Sequence, residues 1–140
     1  MSAIGEVDLS GRWSGVYFYP VHPEMNPLDD APPTPFECVL LDSGGQITGT
    51  TSEPDMFEPE MPSIEATLEG HNLGGQLTFT KTPDPLRQTH TIDYLGTISG
   101  DGNVIDGRWI IYGTWEGTFR MERRTTPQSV SADRFATVQD

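Results

Sequence analysis

Eight stretches of this chain read as strands in which apolar and polar residues alternate with a period of two, and none sustains a helical period. Such alternation places successive side chains on opposite faces of a strand. The cleanest stretch is 63–69, where Ile64, Ala66 and Leu68 alternate with Glu65, Thr67 and Glu69. The predicted strands cover 12–19, 36–42, 46–51, 63–69, 76–81, 89–99, 104–112 and 114–123. Twelve prolines and fifteen glycines punctuate them, as in an all-β chain with many turns. Strands joined in sequence order point to a sheet rolled into a barrel, its first and last strands side by side. The expected fold is an eight-stranded antiparallel up-and-down β-barrel, all-β, with a short C-terminal tail or helix.

The connections alternate in length. Compact turns are expected at Ser43-Gly44-Gly45, within 70–75 and at Gly100-Asp101-Gly102-Asn103. Long proline-rich and acidic connections cover 20–35 and 52–62, and a third holds Pro83, Asp84 and Pro85. In a meander every second turn falls at the same end. One end of the barrel is therefore tied by hairpins and the other is covered by long loops. Binding groups concentrate on loops carried by a rigid scaffold, so the loop end is the expected mouth.

At 140 residues the chain fits one domain, 1–140, with the barrel at about 9–124 and a tail at 125–140. A net charge of −13 argues against nucleic acid and anionic membranes as partners. The first ten residues lack the basic start and apolar core of a secretory signal, and no apolar run is long enough to span a bilayer. Cys38 is the single cysteine; beside Val39, Leu40 and Leu41 it reads as a buried, inert thiol. These features together predict a cytoplasmic protein.

Parity sorts inside from outside. The inward set is Trp13, Gly15, Tyr17 and Tyr19; Ile64, Ala66 and Leu68; Leu77, Phe79 and Lys81; His90, Ile92, Tyr94, Gly96 and Ile98; and Trp115, Gly117, Phe119, Met121 and Arg123. Near the tied end Trp13, Leu68, Ile98, Phe119 and Met121 should form a plug. Towards the mouth the candidate ligand-binding residues are Tyr17, Tyr19, Phe79, Lys81, His90, Ile92 and Trp115. The strands at 36–42 and 104–112 are apolar on both faces. The outer row with Ile110 and Tyr112 needs cover, either from the tail, where 131–135 reads as a short capped helix, or from a subunit interface.

Gly11-x-Trp13 at the start of the first strand, with Arg123 at the end of the last, resembles the calycin superfamily, which includes lipocalins, fatty-acid-binding proteins and avidins. In lipocalin-like members the tryptophan closes the tied end and the arginine packs across it. The resemblance implies that Gly11, Trp13 and Arg123 close this barrel, and that it binds a small apolar molecule. Biotin-binding residues of avidins do not carry over, and the proline-rich connection at 20–35 is a poor place for the helix pair of fatty-acid-binding proteins.

No catalytic motif, phosphate loop or dinucleotide fingerprint is present. His22, Glu24, Asp29 and Asp30 match no metal-ligand spacing, and no cofactor is expected. Met25, Met56, Phe57 and Met61 lie in the long loops and can form an adaptable apolar lid or pin the loops down. Three functions stay open: a small-molecule binder using the mouth; an assembly module with a filled barrel, forming a homo-oligomer; and an enzyme using His90, Tyr19 and Lys81.

Overall fold

The computed structural model describes residues 7–56, 58–86 and 90–124. Its strands are β1 (Gly11–Phe18), β2 (Thr34–Ser43), β3 (Gln46–Glu53), β4 (Ile64–Leu73), β5 (Gln76–Pro83), β6 (Ile92–Ile98), β7 (Val104–Ile111) and β8 (Trp115–Arg123). Neighbours pair antiparallel in chain order, and β1 also pairs with β8. The sheet is therefore a closed all-β barrel, and no helix occurs among the described residues. In β2 and β4 buried and exposed positions alternate along most of the strand. The inner rows of all eight strands meet in one core.

The strand ends differ from the sequence-based expectation by up to four residues, and three of these differences have a clear backbone reason. β4 runs on to Leu73, because Gly74-Gly75 alone reverses the chain and leaves 70–73 free to pair with β5. β1 stops at Phe18, so Tyr19 lies just beyond the ladder, directly before Pro20. β6 begins at Ile92, so His90 is not an inward strand residue but an exposed loop residue. The β5–β6 register, continued from Lys81 opposite Ile92, would set Pro83 opposite His90. Asp84 N–H donates to the Glu65 carbonyl on β4. The preceding nitrogen, that of Pro83, therefore faces β6 and carries no hydrogen to extend the ladder.

The tied end holds the β2–β3, β4–β5 and β6–β7 hairpins. It is sealed by the segment leading into β1. Leu9 and Trp13 are fully buried there, and Trp13 Nε1 donates to the Leu9 carbonyl at 2.9 Å. Gly11 has φ 138°, a backbone that L side chains rarely adopt, which lets the chain turn into the barrel between those two residues. The Arg123 guanidinium lies over the Trp13 ring, 4.7 Å from its centroid. It donates to the carbonyls of Ser10 (3.0 Å), Asp8 (2.9 Å) and Gly102 (2.9 Å). Asp42 accepts from the Leu9 N–H at 3.0 Å and from Asn72 Nδ2 at 2.9 Å, while Asn72 Nδ2 also donates to the Val7 carbonyl at 2.6 Å. Lead-in segment, first strand, last strand and hairpins are thus bound into one plug.

Two inward glycines seat large neighbours. A Cβ on Gly15 would lie 2.0 Å from the Phe36 ring, and one on Gly117 would lie 2.5 Å from Trp109. Close approach at Gly15 brings Phe36 flat beneath Tyr17, with ring centroids 4.3 Å apart. The tail from residue 125, including the expected helix at 131–135, lies outside the described residues.

Candidate functional site: a loop-covered cavity with a buried lysine

At the open end the barrel is not filled. A cavity of about 310 Å³ lies between the upper strand ends and the loops. Tyr17, Tyr19, Lys81, His90, Ile92 and Trp115 all line it. Phe79 does not: it sits two residues deeper on β5 and is covered by Tyr94, whose ring stacks on it at 4.6 Å. Tyr94 takes its place in the lining, as do Trp109 and Glu53.

The inner end of the cavity is polar. Lys81 is 2% exposed and Glu53 8%. Lys81 Nζ donates to Glu53 Oε1 at 2.6 Å and to the Tyr17 hydroxyl at 3.1 Å, and it lies 4.6 Å from the Tyr17 ring centroid. The Tyr17 ring in turn lies against Tyr94, with centroids 5.7 Å apart. Strand geometry makes this meeting possible, because β1, β3 and β5 all run from the tied end towards the mouth. Tyr17, Glu53 and Lys81 each project inward near the last residues of their strands.

Burial governs the protonation of this group. Desolvation pulls the Lys81 ammonium down from its ordinary value, while the Glu53 carboxylate opposes it. Desolvation pushes the Tyr17 and Tyr94 hydroxyls well up, so both stay neutral. It also pushes up Cys38, 2% exposed on β2, which makes that thiol a poor nucleophile.

The side wall is aromatic. Tyr19 stacks on Trp115 with centroids 5.4 Å apart, and Trp109 meets Trp115 edge-on at 5.2 Å. Two polar ends of this group have partners: Tyr19 OH bonds Thr34 Oγ1 at 2.6 Å, and Trp109 Nε1 donates to the Phe18 carbonyl at 3.1 Å.

The β1–β2 loop is held in place by Asn26, which is 2% exposed. Its Nδ2 donates to the Pro20 carbonyl at 3.0 Å, and its Oδ1 accepts from Asp30 and Ala31 N–H, both at 3.0 Å. His22 serves the same loop. Its Nδ1 accepts from Met25 N–H at 3.0 Å and its Nε2 donates to the Thr114 carbonyl at 3.1 Å, which ties the loop to the β7–β8 turn. Met25 and Met56 form part of the cavity lip. Met61 is exposed at 43%, and Phe57 lies outside the described residues. Among the described residues no group of three or more His, Cys, Asp or Glu side chains is placed to hold a metal ion.

Glu53 and Asn26 escaped the sequence reading. Glu53 falls just past the predicted end of its strand, where it reads as one more loop acid. One compositional signal was available for the site: Lys81 is the only lysine in the chain and has inward parity. No protein family, curated protein or solved structure matches this chain.

Proposed function

We propose that this protein binds one small, largely apolar or aromatic molecule in the loop-covered end of its barrel. The observation that carries this reading is the cavity of about 310 Å³, which is aromatic along one side and has a single polar cluster at its inner end. That size is at the small end of the roughly 300–1,000 Å³ typical of ligand pockets, and a few convergent polar groups in an apolar lining are typical too. The loops around the mouth carry Glu24, Asp29, Asp30, Asp55, Glu58 and Glu60. Their field favours a neutral or cationic ligand over an anion. The stacking of Arg123 on Trp13 supports membership of the calycin group, in its lipocalin-like branch, whose barrels bind small apolar molecules. A cytoplasmic location fits the composition.

Titration with prodan, a neutral fluorophore whose emission shifts to the blue in apolar surroundings, tests the reading. The expected result is a saturable shift at one dye per chain, lost when Ile92→Trp fills the cavity. Unshifted emission, or a shift that Ile92→Trp leaves intact, contradicts it.

A second reading, an assembly surface, draws on the outside of the barrel. Val39, Leu41 and Tyr112 are exposed at 42%, 60% and 73%, and Ile110 is half-buried on the outer face of β7. Light scattering separates the two readings. An oligomer that Tyr112→Glu or Leu41→Glu dissociates supports assembly, whereas a monomer in every case opposes it.

A further inference from the structure

We propose that Lys81 captures its ligand covalently: an apolar aldehyde entering the mouth condenses with Lys81 Nζ to give an imine. This rests on the reading of the cavity as a binding site and names the chemical class that the site would take.

The placement of the lysine is the first argument. Lysine is among the residues least often buried, and then it is paired. In this chain the single lysine of 140 residues lies inside the barrel, on the wall of its cavity. Among the described residues the exposed Lys and Arg side chains are all arginines, Arg108, Arg120 and Arg124. Arginine does not deprotonate in proteins, whereas a desolvated lysine supplies a nucleophilic amine. A buried ion pair is also a weak source of stability, often no better than apolar side chains of similar volume. Stability alone gives little reason for a lysine here.

The neighbours of Nζ are those that imine formation needs. Glu53 Oε1, at 2.6 Å, is placed to take a proton from the ammonium. The Nζ lone pair then attacks the carbonyl carbon; a C–N bond forms and the carbonyl π bond opens onto oxygen. Glu53 returns its proton to that oxygen, giving a carbinolamine. A second proton, taken from nitrogen through Glu53, accompanies loss of the hydroxyl as water. The nitrogen of the resulting iminium keeps one hydrogen and one positive charge. Lysine ammonium plus aldehyde thus becomes iminium plus water, and Glu53 begins and ends as the carboxylate facing the cation. Hydrolysis reverses the sequence and releases the ligand. The Tyr17 hydroxyl, at 3.1 Å, orients Nζ. Desolvation, which lowers the Lys81 pKa, eases the first step. The acidic mouth disfavours carboxylate ligands and leaves neutral carbonyl compounds unopposed.

The test uses the full chain with cinnamaldehyde and sodium cyanoborohydride, which reduces an iminium to a stable amine. The products are read by intact mass and peptide mapping. Cinnamyl alcohol, of similar shape but without the carbonyl, is the control. The expected result is one reduced adduct per folded chain, on the peptide containing Lys81, forming faster than in the urea-unfolded chain. Glu53→Gln should slow it on the order of a hundredfold, the effect of losing an acid–base group. Mapping of the wild-type chain keeps the test valid even where a variant folds poorly, and Lys81→Met/Glu53→Leu, which removes both charges together, should give no adduct at this position. Reaction confined to the α-amino group of Met1, or no faster at Lys81 in the folded than in the unfolded chain, overturns the proposal. Should cinnamyl alcohol displace prodan while cinnamaldehyde leaves no adduct on Lys81, covalent capture falls and the binding reading stands. If prodan emission stays unshifted and no adduct forms on Lys81, both fall.

Discussion

The two ends of this barrel solve opposite problems with similar residues. Each has a tryptophan and a cation near an aromatic ring. At the tied end Trp13 is fully buried, and the Arg123 above it is locked to three backbone carbonyls. At the open end Trp115 is half-buried, and the cation is Lys81, held by side chains facing a void. The first arrangement uses main-chain acceptors from segments distant in sequence and so fastens the barrel shut. The second leaves its polar atoms on side chains that can exchange partners. The contrast separates a part of the molecule built for closure from one built to receive something.

Substitutions should break this contrast unequally. Trp13→Ala should give the largest loss, about 3–5 kcal/mol as for large-to-small changes of a buried aromatic, read as a drop in the urea midpoint. Trp115→Ala should cost only about 1–2 kcal/mol, because part of its surface already meets solvent, yet it should weaken prodan binding more than any change at the tied end. Lys81→Met comes close behind Trp13→Ala, since it strands the Glu53 carboxylate in the interior; a loss of about 3–5 kcal/mol is expected for breaking such a pair. Lys81→Met/Glu53→Leu should recover most of that. Equal destabilisation by the single and double variants would show that the pair itself holds the open end together.

Much of this contrast could be read before any coordinates. Alternation placed the strands, and the alternation of short and long connections separated the ends. The misses were matters of distance and register. His90 left the ladder because the nitrogen of Pro83 faces β6 and cannot donate. Phe79 dropped out of the cavity because the Tyr94 ring covers it, a contact that parity does not encode. Parity set Gly15 and Gly117 inward, but it could not show that Phe36 and Trp109 from other strands fill the space over them. Pairing of Glu53 with Lys81 joins β3 to β5 across the interior, and no local pattern announces it.

Two smaller effects sharpen the comparison. Asn26→Ala should cost about 1–3 kcal/mol, because it leaves buried N–H and carbonyl groups of the β1–β2 loop without their partner. Hydrogen exchange should then rise in that loop and not at the tied end. The smallest is a shallow alkaline loss. Cys38 ionises near its ordinary 9.0 only when unfolded, since burial raises it in the folded chain. Its contribution is complete below about pH 9 and is lost as pH rises, with a slope of at most about 1.4 kcal/mol per pH unit. Above about pH 10 Tyr17 and Tyr94 add to the loss in the same direction. Lys81, whose folded value is lowered, contributes the opposite slope, with stability rising through the interval below its ordinary 10.5. Urea midpoints at a series of pH values for wild type, Cys38→Ala and Tyr94→Phe give the signs directly.

Native mass spectrometry of the full chain with cinnamyl alcohol addresses the open end most directly. A complex of one molecule per chain, formed by the wild type and lost in Ile92→Trp, is the result expected if that end receives a ligand. No complex at any ratio, or one that survives with the cavity filled, would mean that the void between the loops and the strand ends is not a binding site.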